Sequence, residues 1–184
     1  MRLFAGVALD AASRAACSQV QDSLRRAGFD AKFEDPAKLH VTLAFLGNVG
    51  DERQAAIAGT MERVAARSVR FELVLDKTGA FPNERRPRVV YVGARDQGTS
   101  FRTLSGQLRE AYAELGFTFH DDPVAHVTIA RVKNPQRPLP QVDVVAAALK
   151  VESLTLFESI FDKERNSSRY VVSATSRLSP CEPS

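Results

Sequence analysis

The chain has 184 residues, of which 44% are hydrophobic and 26% charged, enough to bury one substantial core, so a single domain over 1–184 is expected. No apolar run approaches the roughly 18 residues a membrane span requires, so no membrane partner is expected. The net charge of +3 and pI near 9.1 permit an anionic partner without demanding one. The two cysteines, Cys17 and Cys181, do not resemble a disulfide framework. The apolar stretch at the N-terminus ends at Asp10 and reads as a strand rather than a secretory leader, so a cytoplasmic location is expected.

Residues 2–9 read as a strand. Asp10 then caps a helix that buries Ala12, Ala16, Val20 and Leu24 and stops at Gly28. Residues 39–46 form a β-favouring run closed by Gly47, after which Asp51 caps a second helix with Ile57, Met61 and Val64 on one face. Strands follow at 69–77 and 88–94. The intervening GAFPNERRPR, rich in turn residues, reads as a basic connection. Phe101, Leu104, Leu108, Tyr112 and Leu115 repeat at helical spacing over 99–115, and Gly116 ends that pattern. Residues 125–132 are again β-rich. A Pro-containing linker, a short helix near 139–149 and strands at 151–161 and 169–177 close the chain, with 180–184 as a frayed tail.

Aligning the halves exposes a weak internal repeat, LHVTLAFLG at 39–47 and AHVTIARVK at 125–133. It predicts an α+β architecture of two similar lobes facing a cleft, with the repeated strands beside it. Side chains alternate along a strand, so His40 shares a face with Thr42, and His126 with Thr128, while Val41, Leu43, Val127 and Ile129 point into a core. Nine residues are Thr, so a given His has about a one-in-twenty chance of a Thr two places on, and two matches in equivalent surroundings carry weight.

Two imidazoles across a cleft suit the opening of a cyclic phosphodiester, in which water loses a proton on one side of phosphorus and the departing oxygen gains one on the other. Near neutrality one His serves as base and the other as acid, while the two Thr hydroxyls donate to the non-bridging oxygens where charge builds. This chemistry needs no metal and no cofactor. Two competing readings are core histidines beside strand-forming threonines and a metal site from His120, Asp121, Asp122 and His126, although the latter fits no usual zinc spacing.

With HVTL at 40–43 and HVTI at 126–129, the chain resembles the 2H phosphoesterase superfamily. Within it, the chain is similar to the RNA 2′,3′-cyclic phosphodiesterases, also called 2′-5′ RNA ligase-like proteins. The likeness extends to RLFAGVAL, LAFLG, GAFP, RPRVVYVG and VESLTLFESIF. It implies a bilobal fold of two pseudo-symmetric lobes, each an antiparallel sheet with helices outside, around a central cleft. The implied activity is hydrolysis of a terminal 2′,3′-cyclic phosphate to a 2′-phosphomonoester, with weak reverse 2′-5′ ligation. His40 is then the proton donor and His126 the proton acceptor, the partner is RNA bearing the cyclic end, and a monomer is expected.

Five residues after each His stand Phe45 and Arg131, which strict alternation puts on the opposite face, so reaching the cleft requires a bulge or a strand end. The family pattern has an Arg at the second position, which implies that Arg131 grips phosphate. Phe45 is a candidate either for a platform under a terminal base or for a core aromatic. Arg85, Arg86 and Arg88 either track RNA phosphates or form a solvated basic loop. The region DKERNSSRY departs from the family's Gly-rich turn, which bears on substrate preference. Alternative functions are a phosphodiesterase for small cyclic nucleotides and a non-catalytic RNA-end binding module.

Overall fold

The computed structural model of the chain describes residues 1–163 and 167–180. The expected tail from 181 onward, with Cys181, lies outside the described residues, as do Glu164, Arg165 and Asn166 of the DKERNSSRY segment. In chain order the elements are β1 (Arg2–Ala8), α1 (Ala11–Arg26), β2 (Lys32–Phe33), β3 (His40–Asn48), α2 (Gln54–Arg67), β4 (Phe71–Leu75), β5 (Lys77–Phe81), β6 (Val89–Gly93), α3 (Thr99–Ala113), β7 (His126–Arg131), β8 (Ala147–Val151), β9 (Ser153–Asp162) and β10 (Ser167–Arg177). No helix among the described residues is long and apolar enough to cross a membrane.

The expected α+β architecture is found. Antiparallel strands run in the order β10-β9-β1-β3-β7-β6-β5, with β2 pairing β7, and β4 with β8 forms a separate two-stranded sheet. The long sheet is nearly divided in two, because β3 and β7 pair only at Val41 and Val127. That seam separates a half built on β3 from a half built on β7. The helices cross it: α1, from the start of the chain, packs on β7 and β8, while α3, from the second half, packs on β3. Val41, Leu43, Val127 and Ile129 are all buried beneath these helices, which anchors both motif strands through their apolar faces.

β1 is buried along most of its length and runs beside β3 so closely that a Cβ on Gly6 would lie 2.4 Å from the Val41 carbonyl oxygen. Only glycine permits that approach. Asp10 caps α1 as expected, its carboxylate accepting from the Ser13 N–H at 2.8 Å.

Several elements differ from the sequence reading. Ala12 is exposed, and the buried face of α1 runs instead through Ser13, Ala16, Cys17, Val20, Gln21 and Leu24. Asp51 opens a short 3-10 turn ahead of α2 and makes no side-chain cap; its carboxylate lies 3.7 Å from the Met1 ammonium group. The expected strand at 69–77 is broken at Asp76, because β4 pairs with β8 whereas β5 pairs with β6. The connection GAFPNERRPR is shorter than it reads, since its first three residues belong to β5. Gly79 is needed within that strand because the Tyr91 ring of β6 lies across it, 2.4 Å from where a Cβ would sit. The helix expected near 139–149 is absent. Residues 139–146 form neither helix nor strand, and the Ala-rich stretch from Ala147 alternates buried and exposed as β8, where pairing with β4 overrides helix propensity.

Candidate active site

All six residues singled out in the two motifs, His40, Thr42, Phe45, His126, Thr128 and Arg131, line one cleft of about 450 Å³ over the seam. Continuing the antiparallel register by one residue either side of Val41 and Val127 sets His40 beside Thr128 and Thr42 beside His126. The histidines therefore occupy opposite corners of a square whose other corners are hydroxyls.

Phe45 and Arg131 reach this face because both strands carry a bulge at the same place. In β3 the partners of Ala5 and Gly6 on β1 are Ala44 and Thr42, so Leu43 is extra. In β7 the partners of Val90 and Tyr91 on β6 are Ala130 and Thr128, so Ile129 is extra. Each bulge stands three residues after its histidine. Two consecutive residues are buried there, Leu43–Ala44 and Ile129–Ala130, and the alternation then resumes in the opposite phase.

The two imidazoles are held alike. His40 Nδ1 lies 2.7 Å from the Lys38 carbonyl and His126 Nδ1 lies 2.7 Å from the Val124 carbonyl. A carbonyl only accepts, so Nδ1 carries hydrogen in both rings and Nε2 is the nitrogen left for the cleft. Aromatic walls fix the ring planes. Phe4, Phe157 and Tyr170 surround His40, with centroids at 4.7, 5.7 and 5.2 Å, and Phe81 and Tyr91 flank His126 at 5.2 and 5.4 Å.

Burial pushes His40 below the ordinary imidazole range; the Lys38 carbonyl and the Glu34 carboxylate pull it back up, while His126 and Arg131 oppose its charge. Burial likewise lowers His126, and the Val124 carbonyl opposes that shift. Burial raises Tyr170, which keeps its hydroxyl protonated near neutrality.

Among the described residues, Arg2, Lys32, Lys38 and Arg131 bring four basic side chains to the cleft against the carboxylate of Glu34, an arrangement suited to a polyanion. Glu34 accepts from Arg131 Nε at 3.0 Å, and Lys38 Nζ donates to Ser167 Oγ at 2.9 Å. Glu34, Lys38 and Tyr170 belong to no motif, and they arrive at the cleft only through folding. Phe45 is 48% exposed, with the Arg2 guanidinium 5.0 Å from its ring centroid.

Beyond His126 lies a second cleft of about 290 Å³, which shares Thr42, Phe45 and His126 and is walled by Phe119, His120 and Asp121. Asp121 there is paired with Arg109, and no group of three or more metal-ligating side chains comes together among the described residues. Arg85, Arg86 and Arg88 are exposed and line neither cleft.

Residues 7–91 match the family described as LigT like Phosphoesterase. The RNA 2′,3′-cyclic phosphodiesterase of Methanothermobacter thermautotrophicus is 35% identical over 136 residues, covering 74% of this chain and 73% of that protein. The crystal structure of TT0787 from Thermus thermophilus superposes with a TM-score of 0.85 at 31% identity, covering 97% of this chain and 98% of that one. Escherichia coli LigT complexed with 3′-AMP superposes with a TM-score of 0.78 at 26% identity, covering 96% and 97%.

Proposed function

Since the chain belongs to the LigT-like 2H phosphoesterase family, we propose that it is an RNA 2′,3′-cyclic phosphodiesterase whose two motif histidines carry the proton transfers. The observation that supports this most is the pair of equivalent imidazoles on one cationic cleft, each tied through Nδ1 to a carbonyl. Neutral His126 takes a proton from water as its oxygen attacks phosphorus. The bond from phosphorus to O3′ breaks, and protonated His40 delivers its proton to that oxygen, leaving a 2′-phosphomonoester. Burial lowers both imidazoles, and what supports this division of roles is that at His40, unlike His126, the Glu34 carboxylate opposes that shift and favours the charged form.

The Thr42 and Thr128 hydroxyls donate to the non-bridging oxygens, and Arg131 pairs with their charge. Arg131 and the neighbouring lysines supply the positive charge, so the reaction proceeds without a metal. Reverse 2′-5′ ligation follows when the 5′-hydroxyl of a second RNA end replaces water, approaching from the cleft beyond His126. The partner is RNA with a 2′,3′-cyclic phosphate end, and Phe45 stacks on its terminal base.

The test is to incubate the protein with a cyclic-phosphate oligonucleotide in EDTA, identify the product isomer, and repeat with His40→Ala and His126→Ala. The expected result is a 2′-phosphate formed in EDTA and lost in both variants. A 3′-phosphate product, or activity that EDTA abolishes and zinc restores, would overturn the mechanism.

A further inference from the structure

The paired bulges are held in the same manner, each by a polar side chain from the helix that crosses the seam. Gln21 of α1 is 1% exposed, and its amide nitrogen donates to the Ile129 carbonyl at 2.9 Å and to the Glu34 carbonyl at 2.8 Å. Both partners only accept, which fixes the orientation of the amide. The Ile129 carbonyl also receives the Glu34 N–H at 2.9 Å. In the other half, Arg109 of α3 donates Nε–H to the Leu43 carbonyl at 2.9 Å, and its Nη1 reaches the Asp121 carbonyl. Ile129 and Leu43 are the extra residues of the two bulges.

We propose that Gln21 is a positioning residue for Arg131, locking the bulge that turns this side chain toward the cleft and tethering the strand that carries its partner Glu34. Without the bulge, the residues beyond Ile129 shift phase and Arg131 faces away from the histidines. Gln21 holds both ends of the Arg131 environment at once: the backbone two residues before it, and the backbone of the residue whose carboxylate accepts from its Nε at 3.0 Å. Arg109 does the corresponding work for Phe45. The inference rests on the reading that Arg131 binds the substrate phosphate.

The experiment compares wild type, Gln21→Met, Arg131→Ala and the double variant, measuring kcat, KM for a cyclic-phosphate oligonucleotide and inhibition by inorganic phosphate. Gln21→Met matches the side chain in length and removes both donors. It is expected to raise KM and the inhibition constant about tenfold while leaving kcat within about twofold. In the Arg131→Ala background the same change is expected to add nothing to KM, because the two residues act as one unit. Should the Met variant not fold, Gln21→Asn, one methylene shorter, withdraws the amide from both carbonyls and carries the same comparison.

Equal KM effects in both backgrounds, or a fall in kcat at constant KM, would overturn the proposal and leave Gln21 a packing residue. An Arg131→Ala variant with unchanged KM would overturn it as well. A wild-type protein with no hydrolysis removes the functional reading itself, whereas hydrolysis with a KM that depends on Arg131 but not on Gln21 removes only this inference.

Discussion

The half around β3 and the half around β7 share a strand device and differ in what surrounds it. Each contains a His, a Thr on the same face, an apolar residue pinned in the core and a bulge three residues after the His. Each His is also tied through Nδ1 to the carbonyl two residues before it. The surroundings then diverge. His40 sits among Phe4, Phe157 and Tyr170 and feels Glu34, while His126 sits between Phe81 and Tyr91. Past the bulge one half presents Phe45 and the other Arg131. What is common sets two equivalently tethered imidazoles on one cleft, and what differs is the surroundings on which the proposed acid and base roles, and the proposed phosphate and nucleobase contacts, rest.

The comparison can be broken most forcefully at the histidines. His40→Ala and His126→Ala are each expected to lower kcat/KM on a cyclic-phosphate oligonucleotide by about 10²- to 10⁴-fold. The double variant should be little worse than either single one, since the pair acts together. Activity that survives the loss of one ring but not the other would show that the halves are equivalent only in shape.

Next come the hydroxyls. Thr42→Val and Thr128→Val preserve strand propensity and volume, and each is expected to lower kcat by about 10²-fold with little change in KM or melting temperature. Turnover kinetics with a thermal melt of each variant checks this. Unchanged kcat would reduce both residues to strand formers.

Arg131→Phe removes the difference past the bulge by giving both halves an aromatic. It is expected to raise KM about tenfold or more while leaving the pH profile in place, because a charge-assisted phosphate contact contributes about 1.5–3 kcal/mol. An unaltered KM would confine Arg131 to its ion pair with Glu34.

The smallest effect is electrostatic. Glu34→Gln withdraws a carboxylate that raises the His40 pKa, so His40 loses its proton at lower pH in the variant. With His40 as the acid, the alkaline limb of kcat/KM moves to lower pH and the acid limb, which belongs to His126, holds its position. A shift of the acid limb instead would exchange the two roles.

The shared face of His and Thr in each motif was legible because strand alternation is a local property of the backbone, and the buried Val41, Leu43, Val127 and Ile129 show it directly. Alternation also flagged Phe45 and Arg131 as out of phase, yet only the pairing of β1 with β3 and of β6 with β7 reveals the two bulges that turn them. Gln21 and Glu34 carried no signal at all, and Tyr170 only its place in the DKERNSSRY segment. They belong to a helix, a short extended segment and a distant strand, and their meeting with the motifs depends on α1 crossing the seam and on β9 and β10 folding back beside β1. The Ala-rich β8 misled for the converse reason, since its propensity is helical and a partner strand elsewhere in the chain decides its conformation.

Local chemistry and periodicity thus determined which groups this protein offers: two imidazoles, two hydroxyls, and the apolar residues that root them. The tertiary structure decided how those groups meet, by joining β3 and β7 at a single residue pair, turning Phe45 and Arg131 into the cleft and placing the Glu34 carboxylate near one imidazole. The division has a physical origin. Facial alternation follows from the dihedral angles of each residue, whereas register, bulges and electric fields depend on side chains and backbone brought together from distant parts of the chain.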